Sequence, residues 1–344
     1  MRWKGQRRLF PCHVLDRGRD VFFNEDITYG AEGDVSDMSE LNPCLPSRSI
    51  QGGRDKQDRD IRYDAMRIIN KNILTDTADA RVVRFEVEAA DISRKARPGQ
   101  FVVLMACPEG ERIPLTVVGT DKTKGTLSII FQEVGLTTRL LGKLEAGDSL
   151  YALVGPLGHA TEMKKYGTVI VVGGGVGIAE IYPVAKGFKE AGNRVVSILG
   201  ARTKGLLILE KEMRTVSDAC HVTTDDGSLG KKGFVTAVLQ ELLGAGSGAQ
   251  AADLVYAVGP IPMMRKVAQV TAGFGVRTIV SLNALMVDGT GMCGCCRVTV
   301  GGATKFTCVD GPEFEASGVD WQELAKRNQI YAEQEKHACR LAVK

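Results

Sequence analysis

The sequence predicts a small antiparallel β-barrel, then an α/β domain with a parallel sheet, then a short cysteine-rich C-terminal segment. Three observations support this fold class. Short runs that alternate apolar and polar residues fill residues 66–162, and buried apolar runs alternate with helix-like patterns over residues 163–282. Four of the nine cysteines then fall within residues 293–308. A chain of 344 residues is long enough for two or three such domains.

The composition excludes several classes of protein. A formal net charge of +3 without a basic cluster gives no reason to expect nucleic-acid binding. No apolar run approaches the roughly 18 residues that a membrane-spanning helix needs, and the basic first residues lead into no apolar signal segment. Cysteines concentrated in one region are typical of metal chemistry in a reducing compartment rather than of a disulfide framework. We therefore expect a cytoplasmic protein that neither spans a membrane nor binds nucleic acid.

Residues 1–65 differ in composition from the rest of the chain. They are rich in charged residues, serine, glycine and proline, and they show no sustained apolar period. This pattern predicts a disordered or peripheral extension. A compact strand pattern begins at Met66, so the extension is interpreted either as extra translated sequence or as a regulatory tail.

The predicted barrel rests on three strand patterns between residues 66 and 162. R-V-V-R-F-E-V-E-A (81–89) and T-L-S-I-I-F-Q-E-V (126–134) alternate with period two, and Q-F-V-V-L-M (100–105) is a buried run. Turn residues such as R-P-G-Q and D-K-T-K-G-T separate them. Several short strands at this spacing are typical of a small antiparallel barrel.

The predicted α/β domain spans residues 163–282. The buried strand T-V-I-V-V (168–172) precedes a glycine turn and a helix pattern that Gly192 closes, and further strands and helices alternate up to L-V-Y-A-V-G-P (254–260). Alternating strands and helices predict a parallel sheet with crossover helices.

A nucleotide site is predicted at the glycine turn G-G-G-V-G, which lies between a strand and a helix. Glycines let the backbone approach a pyrophosphate, and the helix N-terminus offers free N–H groups. The dinucleotide fingerprint G-x-G-x-x-G fails, because its third glycine would fall on Ile178, and no Walker A lysine follows. A plain packing turn is the alternative. Glycines at two further strand ends favour the nucleotide, and the candidate residues are Gly173, Gly174, Gly175, Gly177, Asp225, Asp226, Gly227, Gly259, Pro260 and Met263.

A metal site is predicted in the C-terminal segment, residues 283–344, which is expected to end in a polar helix from about Asp320. The spacing is D-x4-C-x2-C-x11-C, which matches a plant-type [2Fe–2S] pattern with an aspartate in the first position. The candidate ligands are Asp288, Cys293, Cys296 and Cys308. Cys295 is a bystander or a substitute ligand. A zinc site completed by His337 or Cys339 and a loop of reduced thiols are the alternatives.

The chain resembles the ferredoxin–NADP reductase superfamily in two motifs, G-G-G-V-G and V-G-P-I-P-M-M, which follow the predicted barrel. The resemblance implies FAD on the barrel, held by R-I-P-L-T (112–116) and I-F-Q-E-V-G-L-T-T (130–138). The arginine is displaced by one position from the family pattern. The implied flavin-site residues are Arg112, Pro114, Leu115, Thr116, Phe131, Gln132, Gly135, Thr137 and Thr138.

The C-terminal motif narrows the resemblance. S-L-N-A-L-M-V-D-G-T-G-M-C-G-C-C-R-V-T-V-G-G and F-T-C-V-D-G-P-E-F are similar to the electron-transfer subunits of dihydroorotate dehydrogenase B. They are closer to the small subunits of NADH-dependent reduced ferredoxin:NADP oxidoreductase, also known as sulfide-dehydrogenase-type subunits, because that family also carries aspartate in the first ligand position. The resemblance covers about residues 66–330.

This resemblance implies an oxidoreductase subunit that passes electrons between NAD(P)H, FAD and a [2Fe–2S] cluster. It further implies a heterodimer with a larger flavin and iron–sulfur subunit, with ferredoxin as electron partner of the complex and no catalytic side chain in this chain. Arg202 and Lys204 follow the second strand, where a cation could hold a 2′-phosphate, but the resemblance favours NADH. The alternatives are the dihydroorotate dehydrogenase subunit itself and a non-enzymatic metal-binding or redox-sensing protein.

Overall fold

The computed structural model describes residues 66–108, 110–245 and 252–341. The predicted N-terminal extension, residues 1–65, lies outside the described residues. No helix in the described part of the chain combines the length and the apolar character needed to cross a membrane.

The first part of the fold consists of two antiparallel sheets with two short helices. The elements are β1 (Ile68–Asp76), β2 (Arg81–Glu88), α1 (Ala90–Lys95), β3 (Phe101–Met105), β4 (Ile113–Thr116), β5 (Gly119–Asp121), β6 (Thr126–Gln132), α2 (Leu136–Lys143) and β7 (Ala152–Leu157). One sheet has the order β1-β2-β6-β5 and the other the order β4-β3-β7. The antiparallel strands are as predicted, but in the described residues their pairing gives two open sheets rather than one closed barrel.

The two sheets share an apolar core because their strands alternate as the sequence predicts. Val83, Phe85 and Val87 of β2 are fully buried, and they pack with Val102 and Leu104 of β3. Residues spaced by two along a strand face the same side of the sheet, so this period places one face of each sheet in the core.

The second part of the fold is a seven-stranded sheet with helices. Its elements are β8 (Thr168–Gly174), α3 (Gly177–Glu190), β9 (Arg194–Ala201), α4 (Glu210–Val216), β10 (Ala219–Thr224), β11 (Lys231–Lys232), α5 (Val235–Ala245), β12 (Leu254–Val258), α6 (Ile261–Gly273) and β13 (Thr278–Ser281). The strand order is β11-β10-β9-β8-β12-β13-β16, and the last strand, β16 (Glu313–Glu315), comes from the C-terminal segment. All pairs are parallel except β13 with β16, so the predicted parallel sheet gains one antiparallel edge strand from the C-terminal segment.

The C-terminal segment packs onto both preceding parts. It contains β14 (Arg297–Val300), β15 (Ala303–Phe306), β16 (Glu313–Glu315), α7 (Trp321–Arg327) and α8 (Ala332–Leu341). The helix predicted from about Asp320 is therefore two helices. Asp320 is the N-cap of α7, and its carboxylate accepts the N–H groups of Gln322 and Glu323 at 3.0 Å each.

Candidate functional site

The glycine turn joins β8 to α3 as the sequence predicts. Gly175 has a φ of +58°, a left-handed conformation that favours glycine. Among the described residues, no atom lies within 4 Å of the position that a Cβ would take at Gly175, so the outer side of the turn is open. A Cβ on Gly177 would lie 2.6 Å from the carbonyl oxygen of Val258. Gly177 therefore allows α3 to begin close against the end of β12.

Met263 brings two predicted nucleotide-site segments together. A Cβ on Gly259 would lie 2.7 Å from the Met263 Cε, and a Cβ on Gly174 would collide with the Met263 sulfur. Pro260 is the N-cap residue of α6, which starts at Ile261. The ends of β8 and β12 thus meet at one edge of the sheet, where ligands bind in open α/β folds.

The segment Asp225–Gly227 follows β10 at the same edge of the sheet. Asp225 and Asp226 are exposed, and the Asp226 N–H donates to the carbonyl of Arg202 at 3.3 Å. Ser228 donates to the Asp226 carboxylate from its N–H (2.9 Å) and its hydroxyl (2.7 Å), and these bonds lower the pKa of Asp226. The segment therefore presents carboxylates beside exposed Arg202.

The predicted flavin strand, β4, is an edge strand. Pro114 and Leu115 are half-buried on it, opposite Val103 and Val102 of β3, and Arg112 is exposed just before it. The Thr116 hydroxyl donates to the Glu180 carboxylate at 3.1 Å. Because Glu180 lies in the first turn of α3, this bond links the predicted flavin strand directly to the predicted nucleotide helix.

Two predicted flavin-site residues lie at the end of β6. The Phe131 ring is buried and packs edge-on against Phe85, with ring centroids 5.1 Å apart. Only its backbone is therefore available to a cofactor. Gln132 is half-buried at the last position of the strand.

The turn before α2 uses its hydroxyls within the protein. The Thr138 hydroxyl accepts the N–H groups of Val134 and Gly135, both at 3.0 Å. The buried Thr137 hydroxyl donates to the Glu111 carboxylate at 2.6 Å. These bonds order the turn. Because the two hydroxyls are used within the protein, the turn would bind a cofactor through its remaining backbone N–H groups.

A β-hairpin explains the x11 spacing of the cysteine pattern. Cys296 directly precedes β14 and Cys308 follows β15, and the two strands are joined at Gly301 and Gly302, whose φ values are +59° and +77°. Two adjacent residues with positive φ are typical of a tight hairpin turn. The hairpin brings the Cys296 and Cys308 sulfur atoms to 3.2 Å, and both residues are buried.

Burial and the neighbouring thiol act on Cys308. Burial, followed by the hydrogen bond from the Cys296 thiol, raises the pKa of Cys308 to about 12. A thiol with such a pKa is protonated at neutral pH unless a metal replaces the proton.

Asp288 organises the loop that carries Cys293. Its two carboxylate oxygens accept the N–H groups of Thr290 and Cys293, each at 2.9 Å. Burial acts to raise the pKa of Asp288, but these backbone bonds outweigh it, and the pKa is lowered. The carboxylate is therefore ionised at neutral pH, as a metal ligand must be.

The four predicted ligands are not all gathered at one point. Among the described residues, no three histidine, cysteine, aspartate or glutamate side chains are close enough together to hold a metal ion. The Cys296 and Cys308 sulfur atoms are in contact, whereas Cys293 is exposed on the adjoining loop. Three thiols and a carboxylate nevertheless form a donor set suited to an iron–sulfur centre, so the chemistry of the residues fits such a group.

Arg327 holds the loop at Cys295. Its Nη2 donates to the Cys295 carbonyl oxygen at 3.0 Å, which ties the end of α7 to the cysteine loop. The Arg327 Nε is buried, and no hydrogen-bond partner for it is found within the described residues. Sequence reasoning missed this residue, because nothing in the helix pattern distinguishes it from a surface cation.

Sequence reasoning also missed two carboxyl groups that face the protein interior. Glu180 and Glu313 are half-buried residues whose carboxyl groups are enclosed, and burial raises the pKa of each, that of Glu313 to about 7. Glu180 lies three residues after Gly177, but in the sequence it looks like any acidic residue in the first turn of a helix.

Comparison with known protein families supports two of the three segments. A model of the oxidoreductase NAD-binding domain matches residues 171–269. A model of the iron–sulfur cluster binding domain of dihydroorotate dehydrogenase B matches residues 283–320. The first match covers the glycine turn and α3, and the second covers all four predicted ligands.

Three similar proteins extend this result over most of the chain. A Thermotoga maritima protein named as a homologue of the dihydroorotate dehydrogenase B (NAD(+)) electron transfer subunit is 50% identical over 255 residues, or 74% of this chain and 89% of its own length. A chain in the structure of NADH-dependent reduced ferredoxin-NADP oxidoreductase, described in terms of flavin-based electron bifurcation, is 46% identical. That alignment covers 81% of this chain and 98% of the other, with a TM-score of 0.75. Ferredoxin-NADP+ reductase from Plasmodium falciparum shares the fold at 14% identity, with a TM-score of 0.50 over 60% of this chain and 89% of its own.

The fold and the two matched segments define an oxidoreductase of the ferredoxin–NADP reductase type, with an NAD-binding domain and a C-terminal iron–sulfur domain. Within that class, the chain belongs to the family of dihydroorotate dehydrogenase B electron-transfer subunits and their homologues. The predicted electron-transfer class and superfamily are thereby confirmed. The domain boundaries and the individual site residues stay predictions.

Proposed function

We propose that this chain is the electron-transfer subunit of a larger flavin and iron–sulfur oxidoreductase, and that it passes electrons between NAD(P)H, FAD and a [2Fe–2S] cluster. One observation carries the proposal. Phe101 and Val103 of β3, the buried residues on one face of the seven-stranded sheet, and Cys296 and Cys308 belong to one apolar core. The sheet that carries the proposed flavin strand, the sheet that carries the nucleotide turn and the cysteine hairpin therefore share one core.

The nucleotide segment would bind pyrophosphate through backbone groups. The open turn at Gly175 and the first N–H groups of α3 offer hydrogen-bond donors and the positive end of the helix dipole. Asp225, Asp226, Gly259 and Met263 border the same edge of the sheet. Bound FAD would supply the chemistry of accepting two electrons from the nucleotide and releasing them singly.

The cluster segment would hold its metal through Asp288, Cys293, Cys296 and Cys308. Cys296 and Cys308 form the fixed half of the set, because the hairpin positions them. Asp288 and Cys293 form the other half, and they lie on the loop before the hairpin, which has positive φ at Gly289, Gly291 and Gly294.

We infer a preference for NAD(H) over NADP(H). Arg202 is the cation that could hold a 2′-phosphate, but Asp225 and Asp226 stand beside it with exposed carboxylates. Carboxylates at the ribose end of the site favour a free 2′-hydroxyl and repel a phosphate.

The larger subunit and ferredoxin are partners that we propose from the similar proteins. A larger partner subunit is supported by the relative that is named as a homologue of an electron transfer subunit. We propose that this partner carries further flavin and iron–sulfur centres and forms a heterodimer with the chain. The similar structure is named for reduced ferredoxin, and we therefore propose ferredoxin as electron partner. The match of residues 283–320 to the dihydroorotate dehydrogenase B domain favours a second candidate, the subunit of that enzyme. The oxidation of dihydroorotate by the purified complex distinguishes the two.

The test is the visible absorbance and metal content of the protein purified with its native partner. We expect oxidised-flavin bands together with iron–sulfur absorbance, iron and acid-labile sulfide, and bleaching on addition of NADH. A colourless protein that contains zinc would overturn the proposal.

A further inference from the structure

Glu180 joins three elements of the fold, β4, α3 and β13, through one carboxyl group. Its Oε2 accepts the Thr116 hydroxyl of β4 at 3.1 Å, and its Oε1 accepts the hydroxyl of Ser281 at the end of β13. Glu180 itself belongs to α3, one turn after the glycine loop. The carboxyl therefore lies where the proposed flavin strand, the nucleotide helix and the end of β13 meet, just before the cluster segment begins.

Glu313 is the second enclosed carboxyl, and it lies on β16 directly opposite Ser281 of β13. Its Oε1 accepts the Tyr256 hydroxyl at 2.7 Å and also the Thr161 hydroxyl. Tyr256 is fully buried, and burial, followed by the charges of the two carboxyls, raises its pKa well above its usual value. The tyrosine thus remains a neutral hydrogen-bond donor.

The two carboxyls have no cation to balance them. Among the described residues, no lysine, arginine or histidine donates a hydrogen bond or forms an ion pair with either group, and their bonds come from hydroxyls alone. The titratable groups that act on the pair are Tyr256 on β12 and the carboxyls themselves on α3 and β16. Since two enclosed negative charges repel each other and are poorly solvated, the pair retains at least one proton until the pH is high.

We propose that Glu180 and Glu313 form a redox-linked proton site, which binds one proton from water when the flavin beside Thr116 is reduced and releases it when the electrons leave. The inference rests on the proposed function. A hydride from the nucleotide brings two electrons and one proton, so the flavin site gains one negative charge and the nucleotide becomes oxidised. The pair changes from one carboxylate and one carboxylic acid to two carboxylic acids, and the added proton cancels the added charge.

Burial supports this behaviour near neutral pH. Burial raises the pKa of Glu180, and it raises the pKa of Glu313 to about 7, where the repulsion from Glu180 also contributes. A group with a pKa near the working pH exchanges protons readily in response to a nearby change of charge. The Thr116–Glu180 bond gives the pair its connection to the proposed flavin strand.

The experiment measures proton uptake during reduction in the protein with its native cofactors. The flavin midpoint potential is determined across neutral pH for the wild type, Glu180→Gln and Glu313→Gln. We expect each variant to take up one proton fewer per two electrons than the wild type. Reduction should also produce an infrared band of a newly protonated carboxyl in the wild type, and both variants should lack it.

A matched control is Glu315→Gln on the same strand. Glu315 is half-buried and paired with Arg277 at 2.5 Å, and it makes no contact with either carboxyl of the pair, so this change should leave the proton uptake at the wild-type value. Tyr256→Phe keeps both carboxyls but removes a donor to Glu313, and it should move the pH range of the uptake upward. Tyr256→Phe also tests the proposal if a glutamine variant does not fold.

The outcomes separate this inference from the proposed function. If flavin is still bound and proton uptake is unchanged in Glu180→Gln and Glu313→Gln, the redox-linked site is overturned and the electron-transfer function stands. An unchanged pH range of proton uptake in folded Tyr256→Phe has the same meaning. A wild-type protein without flavin overturns both.

Discussion

The sulfur atoms of Cys296 and Cys308 lie 3.2 Å apart in a buried position, although the two residues are separated by a complete β-hairpin. The hairpin forms on its own sequence signals, because Gly301 and Gly302 supply the two positive φ values that a tight turn requires. The backbone thus fixes half of the proposed ligand set without metal. Cys293 and Cys295 lie outside this fixed half, so their roles can be tested separately.

Serine substitutions should show which cysteines the cluster needs. We expect Cys296→Ser and Cys308→Ser to lose most of the bound iron and sulfide, because each removes a thiolate from the fixed half of the site. Cys295→Ser should keep the cluster, since the contact that ties Cys295 to α7 uses its backbone carbonyl. Iron and sulfide per chain are the measurement. Loss of iron from Cys295→Ser with retention in Asp288→Ala would make Cys295 the fourth ligand.

Substitutions of Asp288 should separate its proposed role as a cluster ligand from its role as a hydrogen-bond acceptor within the loop. Asp288→Cys should keep the cluster but change its reduction potential, because a softer sulfur replaces an oxygen ligand. Asp288→Asn keeps an oxygen that can accept an N–H from the loop, and we expect it to bind less iron while the fold is retained. Electron paramagnetic resonance and potentiometry provide the readout. An unaltered potential in Asp288→Cys would contradict ligation by Asp288.

The sequence allowed the chemistry-bearing patterns to be predicted, because they depend on local spacing. The glycine turn, the alternating strand β2 and the pattern of four ligands each lie in a short stretch of sequence. The period of two identifies β2, and residue types at fixed spacings identify the other two. Glu180, Glu313 and Arg327 could not be found in this way. Their importance depends on which residues meet them across the fold, and the partner of Glu180 on β4 is 64 residues away.

The predicted antiparallel barrel illustrates the same limit, because the described strands pair into two separate sheets. Strand alternation shows that β2 and β6 are half-buried, but the pairing partners of edge strands such as β4 and β5 depend on long-range geometry. Phe131 is a further example, because its place in the alternating run fits both a core residue and a cofactor contact. Its packing against Phe85 assigns the ring to the core.

A methyl group at Gly177 should weaken nucleotide binding. The added Cβ of Gly177→Ala would lie 2.6 Å from the Val258 carbonyl oxygen, so the start of α3 must move away from β12. We expect a loss of about tenfold or more in affinity for NADH, and a loss of stability of about 1–3 kcal/mol. Binding titrations and denaturant unfolding measure the two effects.

Gly273→Ala is the matched control for this change. No atom of the described residues lies within 4 Å of its added Cβ, and Gly273 is the last residue of α6. Its NADH affinity should equal that of the wild type. Equal affinities for Gly177→Ala and Gly273→Ala would show that the close approach of α3 to β12 is not needed by the nucleotide.

Glu313 should make the protein less stable as the pH rises, whether or not a cofactor is bound. Burial raises its pKa from 4.5 in the unfolded chain to about 7 in the fold, so between these values the folded state holds a proton that the unfolded state has released. The free energy of unfolding therefore falls as the pH increases through this window, and it is lower by about 3 kcal/mol above it. Glu313→Gln, which cannot ionise, should lack this fall and should be more stable than the wild type at about pH 8. Urea unfolding at a series of pH values measures the difference, with Glu315→Gln as the variant expected to follow the wild-type curve. Parallel curves for the wild type and Glu313→Gln would show that Glu313 ionises in the fold as easily as in the unfolded chain.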